Sequence, residues 1–151
     1  MISLEITGRI LLVEDNPHDE ALTLRALEKR NLDEITVVVR DGAEALDYLF
    51  CEGAYADRAP DELPSVIFLD LKLPMVDGFE VLRRLRADER TRLLPVVILT
   101  SSDEHSDLIE CYRGGANSYV RKPIEFDRFT EVVQQLGFYW LRMNEPPYKK
   151  G

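Results

Sequence analysis

Six side chains in this sequence are of the types needed to handle a phosphoryl group: the acidic pair Glu14 and Asp15, a separate Asp70, the hydroxyls of Thr100 and Ser101, and Lys122. Each alone has an ordinary structural role, because Asp caps helices, Thr ends strands and Lys is mostly solvated. Together they have a chemistry. Three carboxylates held ~4 Å apart repel by roughly 4 kcal/mol per pair at an effective dielectric of ~20, so such a cluster calls for a cation. Few protein ligands, all oxygen, favour Mg²⁺, which keeps several waters and is commonly shared with a phosphate. Lys122 and the Thr100 hydroxyl would supply charge and a hydrogen bond to the remaining phosphoryl oxygens. The set permits phosphoryl transfer onto Asp70.

These residues follow apolar runs of strand length. Ile10 to Val13 runs into Glu14 and Asp15, Val66 to Leu69 into Asp70, and Val96 to Leu99 into Thr100 and Ser101; Ser118 to Val120 comes just before Lys122. The β-branched Ile35 to Val39 supplies another strand. Helical periodicity fills the intervals. A helix over about 18–31 carries Ala21, Leu24 and Leu27, widened by Leu22 and Ala26. One after Asp41-Gly42 carries Leu46, Leu49 and Phe50, and one after Asp77-Gly78 carries Phe79, Leu82 and Leu85. A short helix with Leu108, Cys111 and Tyr112 ends at Gly114-Gly115. The last starts at Glu125, with Phe126, Phe129, Val133, Leu136, Trp140 and Met143 on one stripe. The segment 53–64, GAYADRAPDELP, has no period and reads as a surface loop.

Apolar strands without period-2 polarity, alternating with helices, imply a doubly wound α/β fold around a five-stranded parallel sheet. Right-handed crossovers allow the order 2-1-3-4-5, whose switch point lies between the C-terminal ends of strands one and three. Asp15 and Asp70 emerge there.

The 151 residues suit one domain, and 45% hydrophobic with 31% charged residues excludes collagen-like, disordered and disulfide-scaffold classes. With 19 basic against 28 acidic residues the net charge is -9, which repels polyanions and argues against nucleic acid as a ligand. Cys51 and Cys111 fit no CxxC spacing and read as reduced thiols. The N-terminal apolar run ends in acids without a basic leader, and no stretch approaches ~20 apolar residues, so a cytoplasmic protein without a membrane span is expected.

LLVEDN, FLDLKLPMVDG, VVILTSS and YVRKP, in this order between residue 9 and about 137, resemble the signature segments of the response regulator receiver domain of two-component signalling. The resemblance implies a flavodoxin-like receiver fold and makes Asp70 the phosphoacceptor, a stoichiometric one rather than an enzyme. It implies one Mg²⁺, ligated by Asp15, Asp70 and the backbone carbonyl of Lys72, with Glu14 acting through water. Thr100 and Tyr119 match the switch pair, Lys122 the phosphate-contacting lysine, and Pro123 is expected to follow a cis peptide bond. Lys72 and Ser102 match the two variable positions that tune the lifetime of the acyl phosphate. The long segment before strand three, the FYWL run at 138–141 and the NEPP ending at 144–147 resemble the single-domain regulators of bacterial phytochrome histidine kinases.

Two other readings compete with this one. A haloacid dehalogenase-like hydrolase needs a second Asp two positions after the first, where Lys72 stands. A degenerate receiver serving only for docking is opposed by the intact acids, Thr100 and Lys122. About fourteen residues follow the expected core, too few for a winged helix or a catalytic domain, so the chain reads as a single receiver domain with an extension at 138–151 and an output through protein contacts. Phe138, Tyr139 and Leu141 lie off the inward stripe of the last helix, and such an apolar patch predicts a homodimer built on helix four, strand five, helix five and the extension.

Overall fold

The computed structural model describes residues 8–148. Five parallel strands, β1 (Ile10–Val13), β2 (Thr36–Val39), β3 (Val66–Leu69), β4 (Val96–Thr100) and β5 (Ser118–Arg121), form one sheet in the order β2-β1-β3-β4-β5. The helices are α1 (Pro17–Glu28), α2 (Gly42–Phe50), α3 (Gly78–Ala87), α4 (His105–Arg113) and α5 (Phe126–Phe138). This is the doubly wound, flavodoxin-like arrangement expected from the sequence.

Successive side chains of a strand point to opposite faces, so the three central strands feed two cores. Leu11, Val13, Ile67, Leu69, Val96 and Ile98 face the core under α2, α3 and α4, where Leu46, Leu82 and Cys111 meet them. Ile10, Leu12, Val66, Phe68, Val97 and Leu99 face the other core, with Ala26 and Leu27 of α1 and Phe129 and Val133 of α5. Both cysteines are free thiols. Among the described residues no helix is long and apolar enough to cross a membrane.

Register places the site. Val13 is level with Leu69, so the residues after β1 and β3 leave the sheet side by side. Lys122 N–H donates to the Thr100 carbonyl at 2.7 Å, which carries the β4–β5 pairing one residue past the strand. Three helices begin under local control beside this edge. Asn16 caps α1 by accepting from the N–H groups of His18 and Asp19, with Pro17 at the first helical position. Asp41 and Asp77 cap α2 and α3 through the N–H groups of Glu44 and Glu80.

The two Asp-Gly pairs do more than turn the chain. A Cβ at Gly42 would lie 1.8 Å from the Val76 carbonyl oxygen, and one at Gly78 would lie 2.3 Å from the Asp70 carbonyl oxygen. The loop between β3 and α3 is thus clamped between two helix starts that bring no side chain to the contact.

Several expectations need correction. The buried face of α1 is Thr23, Ala26 and Leu27, and Ala21 is exposed. Thr23 serves as an apolar residue there because its hydroxyl donates to the Asp19 carbonyl at 2.7 Å. Phe126 and Met143 are exposed rather than on the inward stripe, and Tyr112 is half exposed on α4. The segment 53–64 contains a short 3₁₀ turn, Gly53–Tyr55. It is pinned by Arg58, which donates to the carbonyls of Tyr48, Leu49, Ala59 and Glu62 and lies over the Tyr48 ring.

Leu141 is buried, not part of an outer patch. After α5 the chain makes a π-helical turn, Tyr139–Met143. An α-helix drifts ~40° for every four residues. The wider i→i+5 turn winds less per residue, and Leu141 lies in the same core as Val133. Finally, the peptide bond before Pro123 is trans, since no cis bond occurs among the described residues. Trans is favoured by about 0.5–1 kcal/mol at X–Pro bonds unless contacts select against it.

Candidate functional site

The acids, the lysine and the hydroxyls converge at the C-terminal edge of the sheet. Glu14, Asp15 and Asp70 each offer a carboxylate oxygen within 4.8 Å of the others, the only such acidic or metal-ligating group among the described residues. Glu14 is only 2% exposed, Asp70 is nearly buried and Asp15 faces solvent. One Asp70 oxygen accepts from the Leu71 N–H at 2.7 Å, which fixes the carboxylate against the start of its loop. Glu14 accepts from the Asn16 N–H at 3.1 Å.

Lys122 reaches into this cluster with its side chain 6% exposed. Its ammonium donates to Glu14 Oε1 at 2.5 Å, Asp19 Oδ2 at 2.9 Å and Asp70 Oδ2 at 3.2 Å. Burial pushes the Glu14 carboxyl up to about 7, against the pull of Lys122. Burial also favours the neutral amine of Lys122, but Asp70, Glu14 and Asp19 outweigh it and hold the ammonium above its ordinary range. One cation faces four carboxylates including Asp15, so the cluster keeps an excess of negative charge suited to a divalent metal. Two hard oxygen donors after β1 and one after β3 match the preference of Mg²⁺ for few protein ligands.

Sequence reasoning overlooked Asp19. It stands in the first turn of α1, where acids are expected for their interaction with the helix dipole, so nothing in the pattern set it apart. Its distance of four residues from Asp15, one helical turn beyond the cap, was the available signal.

Thr100 is fully buried at the end of β4, and its oxygen accepts from the Ser102 N–H at 3.3 Å. Ser101 is exposed, as is Lys72 in the loop after β3. The Tyr119 hydroxyl donates to the Ser102 carbonyl at 3.3 Å, and the ring packs against the core under α3 and α4. Ser102 is 6% exposed, and its hydroxyl donates to Asp107 Oδ2 at 2.6 Å. Phe138 and Tyr139, 38% and 45% exposed, lie at the far end of α5, away from the acids.

The chain belongs to the response regulator receiver domain family, whose model matches residues 10–134. It is a receiver of the two-component type related to phytochrome response regulators. Among curated proteins it is 41% identical over 138 residues to the probable methanogenesis regulatory protein FilR2 of Methanothrix harundinacea (strain 6Ac), covering 91% of this chain and 86% of that one. The crystal structure of the phosphorylated cyanobacterial phytochrome response regulator RcpA shares 35% of its sequence, with a TM-score of 0.86 over 93% of this chain and 99% of the other. The bacteriophytochrome response regulator AtBRR is 52% identical, with a TM-score of 0.72 over 92% of this chain and 99% of its own.

Proposed function

We propose that Asp70 takes a phosphoryl group from the phosphohistidine of a sensor histidine kinase, and that the kinase is a bacterial phytochrome acting in the cytoplasm. The observation that carries the first part is the trio Glu14, Asp15 and Asp70, with oxygens within 4.8 Å, faced by Lys122 3.2 Å from Asp70. A carboxylate oxygen of Asp70 attacks phosphorus, and the bond from phosphorus to the histidine nitrogen breaks. The electron pair stays on that nitrogen, which takes up a proton from water.

One Mg²⁺, when bound, supplies the positive charge that allows a phosphoryl group to approach the acids. Asp15, Asp70 and the Lys72 carbonyl would hold it, with Glu14 acting through water. Lys122 exchanges its bond to Asp70 for one to a phosphoryl oxygen, a charge-assisted contact that needs no new cation in the site. The Thr100 and Ser101 segment supplies hydrogen bonds to the same group. The chain is a stoichiometric acceptor, whose own chemistry extends to phosphorylation by small acyl phosphates and hydrolysis of the aspartyl phosphate. Lys72 and Ser102 set the rate of that hydrolysis. Movement of the Thr100 hydroxyl and the Tyr119 ring biases a two-state surface, so the signal leaves through protein contacts.

Similarity to RcpA and AtBRR supports the phytochrome partner. A phytochrome kinase carrying labelled phosphohistidine should pass its label to this chain faster than unrelated kinases do; equal rates across kinases would overturn that assignment. The readout we propose is a homodimer through α4, β5, α5 and the segment after it, with Phe138 and Tyr139 at the contact and Leu141 excluded by its burial. Sedimentation should show a dimer that becomes a monomer in a Phe138→Ser, Tyr139→Ser variant. A monomer before substitution, with and without phosphorylation, would refute the dimer.

A further inference from the structure

The first turn of α4 is held from outside the helix. Glu104, at the N-cap position, makes no side-chain capping bond. Ser102, two residues earlier, does the work instead: its Oγ accepts from the Glu104 N–H at 3.3 Å and donates to Asp107 Oδ2 at 2.6 Å. Asp107 lies in the first turn, where a carboxylate also meets the positive end of the helix dipole. A hydrogen bond between a hydroxyl and a carboxylate at this length is of the strong, charge-assisted kind.

The remaining polar groups of Ser102 point the other way. Its N–H donates to Thr100 Oγ1, and its carbonyl accepts the Tyr119 hydroxyl. Among the described residues Ser102 is therefore the one bonded to Thr100, to Tyr119 and to α4. With 6% exposure it has little water available to replace a lost partner, and an unmet buried polar group is costly. If Thr100 Oγ1 moves toward a phosphoryl group on Asp70, the Ser102 N–H must follow or be left without an acceptor. The bond to Asp107 is the side-chain-to-side-chain link from Ser102 into the first turn of α4.

We infer that Asp107 is a positioning residue which, through the Ser102 hydroxyl, makes the start of α4 follow the Thr100 hydroxyl when Asp70 is phosphorylated. This rests on the reading of Asp70 as phosphoacceptor. Asp107 does not touch the reacting atoms, so its removal should spare phosphorylation and alter only what phosphorylation does.

The test is by amide NMR of the full chain, free and after acetyl phosphate with Mg²⁺, in the unsubstituted protein, Asp107→Ala, Ser102→Ala, the double variant and Asp107→Asn. Phosphorylation should shift amides at Asp70, Thr100 and along His105–Arg113 in the unsubstituted protein. In Asp107→Ala the shifts at Asp70 and Thr100 should remain, while those along α4 fall about threefold or more, in line with the loss of one hydrogen bond to a charged group. Ser102→Ala, which also removes the acceptor of the Glu104 N–H, should lose at least as much, and the double variant no more than Ser102→Ala alone, since Asp107 then has no partner left to lose. Asp107→Asn, whose amide oxygen still accepts from Ser102, should recover most of the response. Undiminished α4 shifts in both alanine variants would overturn the inference, as would a double variant with the sum of two separate losses. If the unsubstituted protein takes up no phosphoryl group, the phosphoacceptor reading itself fails, which is a different result from phosphorylation without coupling.

Discussion

At the C-terminal edge of the sheet a buried ammonium is pressed among Glu14, Asp19 and Asp70, whereas at the N-terminal edge the strands are closed by apolar packing and by hydrogen bonds to neutral groups, with the Arg86 guanidinium donating to the Gly115 and Arg92 carbonyls and to Asn117 Oδ1. There Leu141 enters the core beside Val66 and Phe68, the Ser65 N–H donates to the Arg9 carbonyl at 2.8 Å, and the Leu93 N–H donates to the Tyr148 hydroxyl at 3.0 Å. The segment after α5 thereby reaches both cores, Leu141 in one and Tyr148 against the other. The same sheet thus carries an edge that gives up stability to concentrate charge and an edge that supplies it. The first is held by carboxylates around one ammonium, the second by packing and by hydrogen bonds to neutral groups.

That contrast can be broken from either side. Leu141→Ala should give the largest loss of stability, about 3 kcal/mol, because it opens a cavity in a packed core, yet phosphorylation of the protein that remains folded should be unchanged. Denaturant unfolding paired with labelling by acetyl phosphate checks both halves. Lys122→Ala should cost somewhat less, roughly 2 to 3 kcal/mol without Mg²⁺, since it leaves buried carboxylates unpaired although Glu14 can protonate in response. Mg²⁺ should recover part of that loss but not the phosphorylation, and a variant as stable as its parent would mean that the acids do not need the lysine.

Gly78→Ala should cost roughly 1 to 3 kcal/mol through forced displacement of the Asp70 backbone, and unlike Leu141→Ala it should also slow phosphorylation. In Mg²⁺ titrations followed by thermal unfolding, Asp15→Ala should weaken binding more than Glu14→Ala, since a direct ligand is lost in one case and a water-mediated one in the other. Equal losses would exchange or merge their roles. Tyr148→Phe should give the smallest effect, about 1 kcal/mol for one hydrogen bond, with phosphorylation untouched.

The charged edge was the more legible of the two in the sequence. Strand-length apolar runs that stop at Glu14, Asp70 and Thr100 announce both the sheet and its reactive end, because a parallel sheet buries its strands and presents chemistry where they finish. Asp19 was hidden by having an ordinary reason to be at a helix start. The face of α1 was misjudged because Thr23 reads as polar until its hydroxyl is seen to bond within the helix. At the other edge, Leu141 could not be placed from a 3.6-residue period, since the π-helical turn changes the period at that point. The clearances at Gly42 and Gly78 depend on contacts between segments distant in sequence, and Asp-Gly spells only a turn.

Asp70 is the one expected site of phosphorylation. Intact-mass measurement and peptide mapping after incubation with acetyl phosphate and Mg²⁺ check this. One added phosphoryl group is expected, mapped to Asp70, abolished in Asp70→Asn and by removal of Mg²⁺ with a chelator. Incorporation that persists in Asp70→Asn, or that maps to Glu14, Asp15 or Asp19, would contradict it.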